Sequence, residues 1–264
     1  MNINYHKIFS KELNEDFEMK VYGHAGKPVM VFPTSCGRFW DYEDHGMIEA
    51  MQEFINNGEI IVAAVDGRDE ESWYKPVRDE WIGRRQDDYE RCIMHDVIPF
   101  LRETYGMDEK YLATGNSFGA FHSANISLKH PEYFDSAICL SGVYAMSREM
   151  DGYFDEGIYF NSPSLYMQNL SDSEIINRLR NNYYVISHGR GAWEAWNDQA
   201  EALADALWKR DITVWYDPWG EEWPHDWNTW LLQIKKYLTA FREGVMFKDG
   251  LLKITGPERR INRL

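Results

Sequence analysis

The sequence predicts an α/β fold, with helices on both faces of a mostly parallel β-sheet. Short apolar runs alternate along the chain with longer segments of helical periodicity, which is typical of this architecture. Two of the runs, residues 28–33 (PVMVFP) and 60–65 (IIVAAV), are apolar at every position, as in strands that are covered on both faces. With 264 residues, of which 44% are hydrophobic, the chain can build one such unit, and we expect residues 1–264 to form a single domain.

The other elements follow in chain order. Apolar residues at helical spacing predict a helix over residues 46–57, and Gly58 stands where that helix would end. A second helix is predicted over residues 87–105, where Pro99 should bend or shorten it. The same two patterns predict four further strands and three further helices: strands at 111–114, 136–140, 183–187 and 213–216, and helices at 121–129, 196–210 and 227–241.

Two segments interrupt this alternation. Residues 142–182 are too many for a simple connection between strands, and they show no single clean helical pattern. An insertion of this kind covers the active site in this architecture, so we expect a cap-like segment there. Residues 244–264 follow the last predicted helix as a C-terminal tail, for which a small hairpin and an interaction arm are both open.

Composition argues against several classes of protein. The formal net charge of −15 disfavours a nucleic-acid backbone or an anionic membrane as partner, because both need a basic face. No apolar run approaches the roughly 18 residues of a membrane helix, and the first 17 residues show no secretory signal, so we expect a cytoplasmic protein. Three cysteines without a C-x-x-C pair indicate neither a zinc site nor a dithiol site. The oligomeric state stays open, with a homo-oligomer among the alternatives.

The strongest functional signal is the motif Gly115-Asn116-Ser117-Phe118-Gly119. It matches G-x-S-x-G and lies between a predicted strand and a predicted helix, where this motif places a nucleophilic serine in a strained turn. The glycines are needed because side chains at their positions would collide with neighbouring backbone. The motif in this context predicts an α/β-hydrolase fold in which Ser117 is the nucleophile.

A serine needs a general base to react at neutral pH. In the α/β-hydrolase fold the base follows the last core strand, and His225 is the one histidine of eight that lies beyond residues 213–216. We therefore expect His225 to face Ser117. His188 lies at the end of an earlier strand, where the acid of the triad is expected, so we predict that it lines the substrate pocket instead.

The third member of such a triad is a carboxylate that orients the histidine. It should come from the loop after strand 183–187, which offers Glu194 and Asp198. We favour Glu194, because it lies closer to the end of the strand and has the longer side chain. Asp198 stays the alternative, and Asp226 is interpreted as a cap of the last helix.

An oxyanion hole needs two backbone N–H groups that face the developing negative charge. Phe118, directly after the nucleophile, should supply one of them. The second should come from the loop after strand 28–33, where Ser35 is our first candidate and Cys36 the alternative.

The run GNSFGAFHSANISLKHPEYFD, which is followed by LSG, resembles the "Putative esterase" family of the α/β-hydrolase superfamily. Its relatives include S-formylglutathione hydrolases, feruloyl esterases and mycolyltransferases of the antigen 85 type. The similarity extends from Val21 to the helix after His225, about nine-tenths of the chain. The resemblance implies hydrolysis of a carboxylic ester or thioester, and it supports Ser117 and His225 by position.

Side chains near the predicted catalytic edge are candidates for binding the substrate. Five tryptophans in or beside loops at this edge are candidates for an aromatic pocket: Trp40, Trp73, Trp193, Trp219 and Trp223. Arg38 is a candidate for holding a substrate carboxylate. Asn116 and His188 complete this set. The acidic run at residues 66–71 is interpreted as a solvated loop, so no metal site is predicted.

The predicted activity is therefore that of a serine esterase that acts on a small-molecule ester without a cofactor. Two alternatives are kept. An acyltransferase would use the same triad and deliver the acyl group to an alcohol, and a catalytically silent member would act as a binding protein.

Overall fold

The structure is a computed structural model and describes residues 1–242. The predicted tail, residues 244–264, lies outside the described residues. One sheet holds eight strands in the order β1-β2-β4-β3-β5-β6-β7-β8. The strands are β1 (Ile3–Ser10), β2 (Glu15–Tyr22), β3 (Lys27–Phe32), β4 (Ile60–Val65), β5 (Tyr111–Asn116), β6 (Phe134–Leu140), β7 (Tyr183–His188) and β8 (Thr213–Pro218).

Within residues 1–242 the α-helices are α1 (Asp41–Asp44), α2 (Met47–Asn56), α3 (Trp81–Cys92), α4 (Ile98–Tyr105), α5 (Phe118–Lys129), α6 (Glu156–Phe160), α7 (Pro163–Asn169), α8 (Ser173–Leu179), α9 (Asn197–Trp208) and α10 (Trp227–Arg242). Each predicted strand and helix is present, with ends that differ by a few residues. The predicted α/β architecture with a mostly parallel sheet is confirmed.

The hairpin of β1 and β2 is the part of the sheet that the sequence analysis did not predict. These two strands pair antiparallel along their full length, and β2 also pairs antiparallel with β4. From β4 onward every neighbouring pair is parallel. The carboxyl ends of β3 to β8 therefore meet at one edge of the sheet, which is where the loops of the candidate site lie.

Helices cover both faces of the sheet, and β4 shows the two layers directly. Its alternate residues Ile61, Ala63 and Val65 belong to the cluster that packs against α3, α4, α5 and α9. Ile60, Val62 and Ala64 belong to the cluster that packs against α2 and α10. Because consecutive strand residues point to opposite faces, an entirely apolar strand is the expected result of this two-sided packing.

The helix predicted over residues 87–105 is longer than expected and is interrupted. It begins at Trp81, and a π-helical segment over Ile93–Val97 separates α3 from α4. Pro99 lies just beyond this segment and has no N–H to donate to a carbonyl one turn earlier. The wider turn accommodates that missing bond, so the predicted bend takes the form of a π segment.

The insertion at residues 142–182 contains three short helices, α6 to α8. Helix α6 meets α3 through two glycines, since a Cβ on Gly83 would lie 2.6 Å from the Cα of Gly157. Asn161, which follows α6, is fully buried and its Oδ1 accepts a hydrogen bond from Asn125 Nδ2 of α5 at 2.7 Å. The insertion is thus attached to the core by backbone contact and by a buried amide pair.

No helix among residues 1–242 has both the length and the apolar character that crossing a bilayer requires. The predicted cytoplasmic location stays a prediction.

Candidate active site

Ser117 lies in a tight turn between β5 and α5, with φ 53° and ψ −120°. This left-handed backbone is unusual for a residue with a side chain and marks local strain. The flanking glycines are sterically required. A Cβ on Gly115 would lie 2.3 Å from the carbonyl carbon of Gly119, and a Cβ on Gly119 would lie 2.3 Å from the carbonyl oxygen of Phe32. The turn predicted from the sequence is thus present, and it places Ser117 at the carboxyl edge of the sheet.

His225 faces this serine from the loop between β8 and α10. Its Nε2 lies 3.0 Å from Ser117 Oγ, within hydrogen-bond distance. The backbone N–H of His225 donates to the carbonyl oxygen of Ala192 at 2.9 Å, and its ring packs edge-on against Trp230 with ring centroids 4.9 Å apart. The imidazole is therefore held by a backbone hydrogen bond and by an edge-to-face contact with Trp230.

Two glycines allow the loop of His225 to reach this position. A Cβ on Gly189 would lie 1.8 Å from the carbonyl oxygen of Trp223, a distance that excludes any side chain. The N–H of Gly191 donates to the same carbonyl at 3.0 Å. The loop after β7 and the loop after β8 are thus in direct backbone contact.

Glu194 lies on the other side of the imidazole. Its Oε2 is 3.5 Å from His225 Nδ1, which is longer than a well-formed N–H···O bond. Its Oε1 accepts from Ser141 Oγ at 2.6 Å and from the N–H of Gly189 at 3.0 Å. Burial raises the pKa of this carboxyl, but the hydrogen bonds from His225, Ser141 and Gly189 outweigh it and hold the pKa below the ordinary value. The carboxylate is therefore ionised at neutral pH.

The alternative acid Asp198 is not near the histidine. Its side chain is 68% exposed and is bonded to Arg148 Nη1 at 2.6 Å. Asp198 lies in the first turn of α9, and that helix directs it to the surface. Asp226 accepts from the N–H of Thr229 at 3.1 Å, which confirms its predicted role as a helix cap.

The candidate oxyanion donors, the N–H groups of Phe118 and Ser35, differ from the N–H group of Cys36 in their hydrogen-bond partners. Phe118 N–H belongs to the first turn of α5, where helix N–H groups have no acceptor within the helix. Ser35 lines the same cavity as Ser117, and among residues 1–242 its N–H has no hydrogen-bond acceptor. The N–H of Cys36 instead donates to Asp69 Oδ2 at 3.0 Å, so it is already occupied. Burial, with the charge of Asp69 as the next cause, raises the pKa of the Cys36 thiol to about 11.

A cavity of about 210 Å³ opens beside Ser117. Residues 143–150 of the insertion and the loop after β4 both contribute to its lining. Apolar and aromatic side chains dominate, with one cation and one anion among them. The lining consists of Ser35, Trp73, Tyr74, Arg78, Ser117, Phe118, Ser141, Val143, Met146, Glu149, Met150 and Trp196.

Of the residues predicted to bind substrate, Trp73 lines this cavity, whereas the others do not: Trp40, Trp193, Trp219, Trp223, Arg38, Asn116 and His188. For Asn116 and His188 the prediction is wrong because both are buried elsewhere. Asn116 Oδ1 accepts from Tyr42 Oη at 2.6 Å, beneath the turn. His188 bonds the carbonyl oxygen of Gly189 through Nδ1 at 2.6 Å and Tyr216 Oη through Nε2 at 2.9 Å, and burial lowers its pKa.

Arg38, Trp40 and Trp223, which are partly buried or exposed, are also engaged elsewhere. Arg38 pairs with Asp66 at 2.5 Å and with Glu18 at 2.6 Å, so it neutralises carboxylates of the chain. Its guanidinium lies 4.7 Å from the ring centroid of Trp40, which is thereby placed outside the cavity. Trp223 packs edge-on against Trp219, with ring centroids 4.8 Å apart.

The acidic run after β4 is more ordered than predicted. Asp66 is fully buried and bonds Arg38 and Arg68. Asp69 is 2% exposed and bonds His122. Among the described residues no group of three or more His, Cys, Asp or Glu side chains could hold a metal ion. The run is therefore partly internal: Asp66 and Asp69 are buried with their partners, whereas Glu70 and Glu71 are exposed, as in a solvated loop.

Sequence reasoning missed Ser141, Trp196 and most of the cavity lining. Ser141 carries a partial signal, since it directly follows β6 at the edge of the sheet that holds Ser117. Its φ of 54° marks a strained position of the kind found at functional sites. The lining of residues 143–150 carries no such signal, because it depends on how the insertion folds.

The fold and the arrangement at Ser117 define the class of protein: an α/β-hydrolase-fold enzyme with a serine in the tight turn between β5 and α5. Residues 10–237 match the model of a family described as "Putative esterase". The chain belongs to this family and is a carboxylic ester hydrolase. Comparison with individual curated proteins gives no match.

Solved structures show the same fold at low sequence identity. A ferulic acid esterase is 14% identical, with a TM-score of 0.72, over 90% of this chain and 96% of that one. An S-formylglutathione hydrolase from Agrobacterium tumefaciens is 13% identical, with a TM-score of 0.70, over 91% and 94% of the two chains. The Mycobacterium tuberculosis protein MPT51 is 14% identical, with a TM-score of 0.62, over 88% and 96%. The predicted α/β-hydrolase fold is thereby confirmed.

Proposed function

We propose that this chain is a serine esterase that hydrolyses a carboxylic ester or thioester through Ser117, His225 and Glu194. The observation that carries the proposal is the 3.0 Å separation of Ser117 Oγ and His225 Nε2, at a serine held in a strained turn. Glu194 supports it from the far side of the ring, where it faces Nδ1. This order of acid, base and nucleophile is the one that activates a serine hydroxyl.

In the acylation step, Ser117 Oγ attacks the carbonyl carbon of the ester and His225 Nε2 takes the hydroxyl proton. Glu194 stabilises the resulting imidazolium and holds the Nδ1 proton in place. The N–H groups of Phe118 and Ser35 donate to the oxyanion of the tetrahedral intermediate. Collapse of this intermediate breaks the bond to the leaving oxygen or sulfur, which receives the proton from His225, and leaves the acyl group on Ser117.

In the deacylation step, His225 takes a proton from water, and the hydroxide oxygen attacks the acyl carbon. The oxyanion again lies at the Phe118 and Ser35 N–H groups. Breakage of the bond to Ser117 Oγ releases the carboxylic acid, and His225 returns its proton to the serine. Each transfer uses groups that the chain itself supplies.

The cavity beside Ser117 suits the acyl part of the substrate. Its lining includes Ser117, Phe118 and Ser35 but not His225. Because His225 must protonate the leaving group, that group departs on the histidine side and the acyl group occupies the cavity. Its volume of about 210 Å³ is below the about 300–1,000 Å³ of pockets that hold drug-sized molecules, so we expect a short or small acyl group.

The test is hydrolysis of p-nitrophenyl esters from acetate to octanoate by wild type, Ser117→Ala and Met150→Ala. We expect wild type to prefer the shorter esters and Ser117→Ala to have no activity above background. Met150→Ala removes part of the cavity wall, so its optimum should shift to longer chains. A parallel reaction with an acceptor alcohol, analysed for ester product, separates hydrolysis from acyl transfer.

Equal rates in wild type and Ser117→Ala would contradict the proposed nucleophile. Absence of activity in both, together with no labelling of wild-type Ser117 by a fluorophosphonate, would favour a silent binding protein. An unchanged chain-length optimum in Met150→Ala would place the acyl group outside the cavity and leave the triad proposal standing.

A further inference from the structure

Asp69 joins the loop after β3 to helix α5. Its Oδ2 accepts the N–H of Cys36 at 3.0 Å, and its Oδ1 lies 2.8 Å from His122 Nε2. The side chains of Asp69 and His122 are 1% and 3% exposed. A buried carboxylate needs such donors to offset its lost hydration, so these bonds determine where it rests.

His122 belongs to α5, the helix that begins with Phe118. Its ring is enclosed by aromatic rings, with centroids 5.2 Å from Phe118 and 5.0 Å from Phe121. Because a carboxylate only accepts hydrogen bonds, Nε2 carries the proton that faces Asp69. Nδ1 is buried and has no partner among the described residues, so the contact with Asp69 is the one polar interaction of the ring there.

The loop that Asp69 holds has an unusual shape. Cys36 has a φ of 55°, in the left-handed region, and its N–H points to Asp69. Ser35, one residue earlier, is also held from the loop after β4, since Tyr74 Oη donates to Ser35 Oγ at 2.8 Å. With Cys36 N–H occupied by Asp69, the N–H of Ser35 is the group of this pair that is free for a ligand among residues 1–242.

We propose that Asp69 and His122 are positioning residues that set the distance between the two oxyanion donors. One donor, Phe118 N–H, is fixed to α5 and hence to His122. The other, Ser35 N–H, is fixed through Cys36 to Asp69. The hydrogen bond between Asp69 and His122 therefore ties the two halves of the oxyanion hole together. This inference rests on the proposed function, because it assigns these N–H groups to the oxyanion.

The test compares His122→Gln and His122→Leu with wild type on a short p-nitrophenyl ester. Both variants remove the ring, but only Gln keeps a side-chain N–H that can donate to Asp69. We expect His122→Leu to lower kcat at least about tenfold with KM changed less than about threefold, since loss of one oxyanion donor costs about 10²–10³ in kcat. His122→Gln should stay within about threefold of wild type in kcat. Ser127→Ala, a buried substitution on the same helix whose hydroxyl bonds only helix carbonyls, is the control.

The outcomes separate this inference from the proposed function. If wild type itself shows no esterase activity that depends on Ser117, the proposed function fails first. If wild type is active and folded His122→Leu matches it in kcat, or if Gln and Leu lose kcat equally, the positioning role is refuted. Should His122→Leu not fold, Asp69→Asn replaces it, with the same kcat loss expected. Should that variant also be unfolded, His122→Phe, which keeps a ring among the aromatic neighbours but has no donor for Asp69, must lower kcat for the proposal to stand.

Discussion

Ser141 Oγ lies 2.6 Å from Glu194 Oε1 and donates its proton to that carboxylate. The same hydroxyl accepts from Trp230 Nε1 at 3.0 Å, and the Trp230 ring packs against His225. One serine therefore links the candidate acid to the aromatic wall that supports the candidate base. Its strained φ of 54° is consistent with a position that is kept for this contact.

Ser141→Ala should lower kcat for a short ester by about tenfold, because Glu194 loses one of its donors and is less well placed to orient the imidazole. The measurement is steady-state hydrolysis at saturating substrate. Ser164→Ala removes a buried hydroxyl of the insertion that bonds only the carbonyl of Tyr144, and should leave kcat within about twofold. Equal kcat in wild type and Ser141→Ala would show that the Gly189 N–H alone holds the carboxylate.

Glu194→Gln should reduce kcat by about 10²–10⁴, because the amide neither stabilises the imidazolium nor holds the Nδ1 proton. Asp198→Asn is the matched control, since it neutralises the other carboxylate of the same loop region at an exposed site. Its activity should stay within about twofold of wild type. The assignment of the acid fails if Asp198→Asn loses as much activity as Glu194→Gln.

Gly189→Ala should reduce both activity and stability. Its Cβ would lie 1.8 Å from the carbonyl oxygen of Trp223, so the two loops must separate and His225 must move away from Ser117. We expect a loss of kcat greater than about tenfold and a lower midpoint in thermal unfolding, as for other forced backbone shifts. Gly106→Ala is the comparison for kcat, because a Cβ there has open space around it. Its φ of 64° makes that variant less stable as well, so it is a control for activity and not for the unfolding midpoint. Wild-type kcat in folded Gly189→Ala would contradict the importance of the loop contact.

Stability should depend on pH through Glu90, a buried carboxylate of α3. Burial raises its pKa, but the charges of Lys129 and His130 outweigh burial and lower the pKa from 4.5 to about 2. The charged form is thus favoured by folding, so its contribution is complete above about pH 4.5 and is lost as the pH falls towards 2. Glu90→Gln lacks this contribution, which is worth about 3 kcal/mol.

Urea unfolding of wild type and Glu90→Gln at several pH values between 3 and 6 tests this. The difference in free energy of unfolding should be largest near pH 6 and should shrink as the pH falls. A difference that is the same at every pH would mean that Glu90 stabilises the fold by shape alone.

The sequence predicted the positions of Ser117 and His225 well, because one depends on a short local motif and the other on the order of elements along the chain. The turn at Ser117 needs Gly115 and Gly119 for steric reasons that five consecutive residues express. His225 could be predicted because the general base of the α/β-hydrolase fold follows the last core strand. The antiparallel hairpin of β1 and β2 was not predicted, because its strands are partly exposed and lack the continuous apolar runs that mark the buried strands.

The substrate pocket could not be predicted in the same way. Asn116 and Ser117 are neighbours in the chain, but consecutive residues at a strand end face opposite sides, and Asn116 bonds Tyr42 beneath the turn. The walls of the cavity come from Trp73 on one loop and Met146 on another, far apart in the chain. Their meeting depends on packing of the insertion against the core, which no local pattern records.

The glycine contact between α3 and α6 has a consequence for how the enzyme sorts its substrates. Movement of the insertion as a lid would require the contact between α3 and α6 to separate. Here the backbones of Gly83 and Gly157 are in direct contact, and Asn161 is hydrogen-bonded inside the core. We therefore expect the cavity beside Ser117 to keep a constant size, without opening and closing of the insertion. With the acyl group in this cavity, as proposed above, a change in the preferred acyl size has to come from substitutions of wall residues such as Met146 and Met150.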